Sequence, residues 1–249
     1  KEQEKIAKIL STLDNAIEST NRIIEKERNI KTALMQELLT NGIDQNSQIR
    51  TPQTHIYKQS ELGLIPDEWE ATSINLLLNN LDSKRIPLKE SDRQEINGQY
   101  PYYGASGIID WVDDYIFDGE YILLGEDGEN VVSRVLPLAF KASGKIWVNN
   151  HAHVFQCKKD VNIDYVVNLL ESTDYKSIIN GSAQPKITQD GLNKLFFKIA
   201  PKNEQKQIAR ILNTQDKKIE REERNLAKLK ELKKGLMTDL LSGVVRVKV

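Results

Sequence analysis

Apolar residues recur in steps of four and three along one face at each end of this chain. Near the start they are Ile6, Leu10, Leu13, Ile17, Ile24, Leu34 and Leu38. Near the end they are Ile208, Leu212, Ile219, Leu226, Leu229, Leu236 and Leu240. That spacing lays one stripe along a long helix. Neither stretch contains proline, and Asn41-Gly42 and Ser242-Gly243 supply stop signals. A helix of about 40 residues is roughly 60 Å long. It cannot bury a narrow stripe against itself, so each predicted helix needs a partner helix.

The two helices are also one phrase written twice. Residues 2–41 align with 204–243 without a gap, and 17 of 40 positions are identical. EQEKIAKIL in the first copy becomes EQKQIARIL in the second. Pattern alone describes a generic coiled coil. The duplication points further, to a pseudo-symmetric spacer or a dimerisation element flanking one domain.

Between the helices the texture changes. Residues 44–60 are polar and without period, which predicts a linker. Residues 100–109, 115–117, 121–124, 138–140, 146–148 and 153–157 are short, rich in aromatic and β-branched types, and divided by glycine and asparagine. These are strand signals. Residues 163–171 have helical spacing, residues 180–188 (NGSAQPKIT) read as a loop, and residues 196–199 read as a last strand before Pro201 opens the second helix. The expected fold is α+β. Helical spacers at 1–43 and 202–243 flank a linker at 44–60 and a mixed α/β domain at 61–201, with a tail at 244–249.

Composition adds limits. With 39% hydrophobic residues the chain can fill a core, and 29% charged residues suit long solvated helices. One cysteine, Cys157, excludes a disulfide framework and suggests a reducing compartment. No apolar run reaches membrane-span length and no signal peptide opens the chain, so a cytoplasmic protein is expected. The opening at Lys1 in place of Met predicts a trimmed or partial product. The net charge of −1 is uneven. Residues 1–49 carry 7 basic and 8 acidic side chains, residues 50–202 carry 16 and 21, and residues 203–249 carry 12 and 7. A nucleic-acid function must therefore rest on a local patch.

Enzyme motifs are missing. Residues 142–146 (ASGKI) lack the upstream glycine and the Ser/Thr of a phosphate loop. Residues 100–103 (YPYY) are not the Asn/Asp-Pro-Pro-Tyr/Phe motif of amino-methyltransferases. His151 and His153, with Cys157 nearby, offer metal ligands but no evident fourth, so no metal is expected. Residues 110–130 hold eight acids and no base, read as a solvated acidic face that turns away from any bound DNA. No catalytic residue is assigned.

Groups able to read base edges or hold phosphates gather elsewhere. They are Lys84, Arg85 and Lys89 in one segment, Tyr102, Tyr103 and Ser106 in another, and Lys145, Asn149, Asn150 and His151 in a third. Gln184 and Lys186 stand in the 180–188 loop. Each alone can be surface decoration. Together, on loops between spacer helices, they form a candidate DNA-reading face.

At this point the chain resembles a family, the specificity subunits of type I restriction-modification systems. The resemblance lies in EQKQIARILNTQDKKIE ending in GLMTDLLSG, its earlier copy, and ELGLIPDEW, YPYYGASGIID, YIFDGEYILLGEDG, WVNNHAHVFQ and NGSAQPKITQDGL between them. It covers nearly the whole chain. A full subunit of that family carries two recognition domains and two helices, whereas this chain carries one domain between two helices. The resemblance thus implies a C-terminal half or a self-associating half-subunit, paired through Ile6, Leu10, Leu13, Ile17, Leu34, Leu38, Ile208, Leu212, Ile219, Leu236 and Leu240.

It further implies a non-catalytic reader of half a split site on double-stranded DNA. Methyltransferase subunits would dock on the helices and a restriction subunit would join through that complex. No cofactor is expected on this chain itself; S-adenosylmethionine, ATP and Mg would serve the partners. Weak DNA affinity is expected of the chain alone. The rival is a coiled-coil adaptor whose central domain binds protein. A stand-alone nuclease or methyltransferase lacks its motif.

Overall fold

The computed structural model describes residues 1–94, 98–181 and 184–247. Ser182 and Ala183 of the predicted loop, and the last two residues of the predicted tail, lie outside the described residues. In chain order, helix α1 (Glu2–Leu38) is followed by strands β1 (Tyr57–Ser60), β2 (Gly63–Pro66) and β3 (Glu70–Ser73). Next come α2 (Ile74–Leu77), β4 (Leu78–Asn80), a 3-10 turn (Asp82–Lys84) and α3 (Glu90–Gln94). Strands β5 (Tyr100–Gly104), β6 (Gly107–Val112) and β7 (Phe117–Gly125) precede α4 (Asn130–Ser133). Then follow β8 (Ala139–Val148), β9 (Ala152–Cys157), α5 (Ile163–Ser172), β10 (Ile179–Asn180) and β11 (Lys186–Ile187). The last elements are α6 (Gln189–Leu192), β12 (Phe196–Ile199) and α7 (Lys202–Leu241).

The chain divides into two compact units. One comprises Lys1–Leu34 and the chain from Ile211 on. In it α1 and α7 run antiparallel. Glu2 meets Arg246, Asp14 meets Lys233, Arg28 meets Glu223 and Lys31 meets Asp216, so residue numbers fall on one helix as they rise on the other. The stripe faces inward. Ile24, Leu212, Ile219 and Leu240 are buried, and Ile6, Leu10, Leu13, Ile17, Leu34 and Leu236 are half-buried. The partner helix that each stripe needs is thus the chain's own second copy.

The other unit is Met35–Arg210. Its centre is a six-stranded sheet of order β4-β9-β7-β8-β5-β6, antiparallel except where β5 runs parallel to β8. Alternate residues of β7 face opposite sides. Tyr121 and Leu123 join Ile146, Val148 and Val154 in one apolar layer. Ile122 and Leu124 are also fully buried, and α5 packs on β7 and β8. Helix α5 begins where Asn162 caps it, its side chain accepting from the Tyr165 N–H. The sheet curls. A Cβ on Gly125, at the end of β7, would lie 2.7 Å from the carbonyl oxygen of Ala105 in the β5–β6 turn. Only glycine permits that approach.

Several sequence expectations differ from the structure. Residues 180–188, expected as a loop, contain β11 and the end of β10, which pair with each other. Residues 100–109 hold β5, a turn and the start of β6 rather than one strand. Residues 138–140 and 146–148 are not separate strands but parts of β8. Ser143-Gly144 looked like a turn; instead Gly144, at positive φ, pairs with Gly119 and bends a continuous hairpin. The predicted linker contains β1, paired with β2 from Tyr57 against Pro66. Four residues are too few for a period to register.

The first turn of α7 is built into this unit by Glu204. Its buried carboxylate accepts from the Ile43 N–H at 2.8 Å, from Arg50 Nη1 at 2.5 Å and from Trp69 Nε1 at 3.0 Å. Gly42 fits over this group at φ +66°, where any side chain would run into Glu204 and Trp69. Beside it, Gln205 accepts from the Asn162 N–H and donates to the Ala200 carbonyl.

Candidate nucleic-acid interface

Five segments far apart in sequence meet at one end of the curled sheet. They are the residues after β4, the β5–β6 turn, the end of β7, the β8–β9 turn and β11. Backbone bonds join them: Glu126 N–H to the His151 carbonyl (2.9 Å), Ile187 N–H to the Glu126 carbonyl (2.8 Å), and Gly128 N–H to the Pro185 carbonyl (3.1 Å). The Asn149 N–H donates to the Tyr103 carbonyl at 3.0 Å.

Side chains complete the arrangement. Arg85 donates from Nη1 to Glu126 Oε2 at 2.6 Å and to the Ala152 carbonyl at 2.7 Å. Lys186 Nζ lies 2.9 Å from Glu126 Oε1. His151 Nδ1 lies 2.8 Å from Asp127 Oδ1. Asp82 takes the Val154 N–H at 2.8 Å and faces His153 Nδ1 at 2.6 Å, while His153 Nε2 faces the Ile187 carbonyl at 2.9 Å. A carbonyl only accepts, so Nε2 carries a proton.

Burial works against ionisation of Asp82, but bonds from His153, Asn80 and Val154 outweigh it and hold the carboxyl below the usual aspartate range. Burial likewise opposes the charge on Glu126, yet Lys186 and Arg85 hold its carboxyl low.

Lys84, Arg85, Asn150, His151, Gln184 and Lys186 all stand on these joined segments, with Ser106 half-buried in the β5–β6 turn. Lys84, Asn150, His151 and Gln184 are exposed. Other candidates are placed differently. Tyr102 is 1% exposed; its hydroxyl accepts from the Leu88 N–H, and Arg93 covers its ring at 4.8 Å. That burial closes it to base stacking. Asn149 is buried too, and its side chain accepts from the His151 N–H, which shapes the turn from beneath. Tyr103 is half-buried and stacks on Phe140 at 6.0 Å between centroids. Lys145 belongs to another group, over the Tyr115 ring at 4.5 Å. Lys89 is exposed beside α3.

The acidic stretch needs correction. Asp113, Asp114, Asp118, Glu120 and Glu129 are exposed as expected, but Glu126 is buried and Asp127 half-buried, each bound to a candidate reader. Sequence reading missed this role for Asp82, Glu126 and Asp127. The available signal was position: Glu126 ends an apolar run (YILLG), where an unpaired acid would be costly. Among the described residues no group of three or more His, Cys, Asp or Glu is placed to hold a metal. Burial pushes the Cys157 thiol up to about 11, so it carries little nucleophilic thiolate.

The family model for the type I restriction modification DNA specificity domain matches residues 66–231, more than half of the chain. The chain belongs to this family. A type I restriction enzyme specificity subunit of Haemophilus influenzae is 32% identical over 146 residues, which is 59% of this chain and 36% of that protein. The MjaVIII specificity subunit of Methanocaldococcus jannaschii is 26% identical over 269 residues, 99% of this chain and 61% of that one. Among solved structures, the type I restriction-modification S subunit from M. genitalium superposes with a TM-score of 0.68 at 15% identity, over 96% of this chain and 60% of that one. That likeness shows a shared fold, and the expected α+β fold with flanking helices is the one observed. This specificity-family chain thus spans at most about three fifths of these relatives. No helix among its described residues is long and apolar enough to cross a membrane.

Proposed function

We propose that this chain is the sequence-reading part of a type I restriction-modification complex. It reads one half of a bipartite site on double-stranded DNA and performs no chemistry. Its helices space that half from the other and dock methyltransferase subunits. Those subunits use S-adenosylmethionine to methylate adenine N6. A restriction subunit, joined through the assembly, uses ATP and Mg. Family membership supports the reading role.

Unequal burial of equal residues supports the paired-reader role. Each residue of α1 has a counterpart 202 positions later. Met35 is 9% exposed and its counterpart Met237 40%; Leu39 is 6% exposed and Leu241 65%. Ala209 is buried, whereas Ala7 is exposed. Glu204 takes the Ile43 N–H, Arg50 and the Trp69 indole. Its counterpart Glu2 takes the Val247 N–H at 3.2 Å and Arg246 at 2.8 Å; a second Arg246 nitrogen, at 2.7 Å, stands where the indole would be. The end of the helix pair built from residues 35–39 and 204–209, drawn from both copies, is packed within the unit that holds the sheet. The repeat-related end, residues 2–7 and 237–241, leaves the equivalent surface more exposed.

The occupant this surface fits is a second recognition domain of the same kind, supplied by more of the same polypeptide or by a second copy of the chain. Because the stripes pair within the chain, the incoming element is a domain and not a helix.

The test is selection of duplex DNA from a random library by the chain together with methyltransferase subunits. Enrichment of a motif split by a fixed gap is expected. Recovery of unselected sequence would contradict the reading and favour the adaptor.

A further inference from the structure

Glu126 is the residue through which the candidate interface is held together. Its backbone N–H and carbonyl bond to the β8–β9 turn and to β11. Its carboxylate, 9% exposed, takes Arg85 on one oxygen and Lys186 on the other. So a single residue ties three segments together: the one after β4 that bears Arg85, and the two that carry Asn150, His151 and Gln184, exposed side chains able to meet base edges.

A buried ion pair is weak evidence of stabilisation, because desolvation offsets the attraction. Its geometric effect is firmer. Cations on long side chains bind phosphate at any sequence when they can swing freely, and such contacts carry no sequence information. A carboxylate that occupies both cations removes that freedom. Lys186, 45% exposed, reaches solvent from a fixed root, and Arg85 is turned inward onto Glu126 and the Ala152 carbonyl.

We propose that Glu126 is a positioning residue for sequence discrimination. It withholds Arg85 and Lys186 from indiscriminate phosphate contact and fixes the β8–β9 turn and β11 in one register, so that the exposed side chains meet bases only in the matching sequence. This rests on the DNA-reading role proposed above.

The test uses the full chain with methyltransferase subunits, and duplexes carrying the motif that the wild type selects, single mismatches of it, and unrelated sequence. Binding is measured across salt concentration. In Glu126→Gln, Lys186 loses its counter-charge and Arg85 keeps only the more distant Asp82 carboxylate, 3.6 Å away. Discrimination against a mismatch is expected to fall about tenfold or more, which is roughly one mismatched pair's worth. Affinity for unrelated DNA is expected to rise, and the salt dependence of log K to steepen by about one to two, near 0.9 for each released cation that finds a phosphate.

A merely structural role would instead lower specific and non-specific binding together, with an unchanged slope. Lys186→Met covers the case in which Glu126→Gln does not fold. It removes one tie without freeing a cation, so discrimination should fall while the slope does not steepen. A selective wild type with equally selective folded variants overturns this proposal alone. A wild type that prefers no sequence overturns it together with the reading role.

Discussion

Lys31 Nζ lies 2.6 Å from Asp216 Oδ1, across the helix pair. The same contact is made again by the repeat-related residues, with Lys233 Nζ 2.5 Å from Asp14 Oδ1. Moving every residue of one helix to its counterpart on the other exchanges the two pairs. The antiparallel pair is therefore related to itself by an approximate two-fold axis, and the phrase occurs twice because both helices supply both halves of one interface. Exposed pairs of this kind contribute about 0–1 kcal/mol. They specify alignment, while the apolar stripe supplies the stability.

Placing a charge in that stripe should separate the helices. Ile219 is buried, and Ile219→Glu would put an unpaired carboxylate there, at a cost of about 3 kcal/mol or more. Helical circular dichroism should melt at a lower temperature than the tryptophan fluorescence of the recognition domain. A single unshifted transition would contradict the assignment of the stripe.

Glu204 anchors the start of α7 in the recognition domain. Glu204→Ala leaves Arg50 buried without its carboxylate and Trp69 Nε1 without an acceptor. Losing one partner of a buried pair costs about 3–5 kcal/mol. Denaturant titration should show that loss; a change under about 1 kcal/mol would show that solvent replaces the carboxylate freely.

Acid should loosen the candidate interface. The folded-state pKa of Asp82 is depressed. Its contribution is therefore complete above the unfolded value of about 4 and is lost as pH falls through the lower folded value. Glu126, also depressed, acts in the same direction. Asp82→Asn should be less stable than wild type at pH 7, and the gap should narrow below about pH 4. A gap constant with pH would contradict an ionised Asp82.

Framework and reader residues should part under mutation. Tyr102→Phe removes one bond to the Leu88 N–H and should cost about 1 kcal/mol without changing the sequence selected. His151→Ala or Gln184→Ala, at exposed positions, should relax selection at individual bases while leaving the melting temperature nearly unchanged. Relaxed selection in Tyr102→Phe would move the reading face to β5.

The long helices were legible because a stripe sustained over ten turns leaves little else to form, and the direction of their pairing follows only once Lys31 is seen beside Asp216. Strand β12 and helix α5 were legible from local pattern. Strand β8 was divided because Ser143-Gly144 has turn composition whether it ends a strand or bends one. The candidate DNA-contact residues follow from composition, which cannot see burial: Tyr102 and Tyr103 are neighbours in YPYY, yet only the first points fully inward. The pairing of Arg85 with Glu126, 41 residues apart, has no local signal at all.

The most direct measurement is a genome-wide map of N6-methyladenine in cells expressing this chain with methyltransferase subunits. The account predicts new methylation at a bipartite motif, its two parts separated by a constant gap, and loss of that motif when Leu241→Asp spoils the bare docking surface. Methylation absent or without sequence preference, with all subunits present and folded, would contradict it.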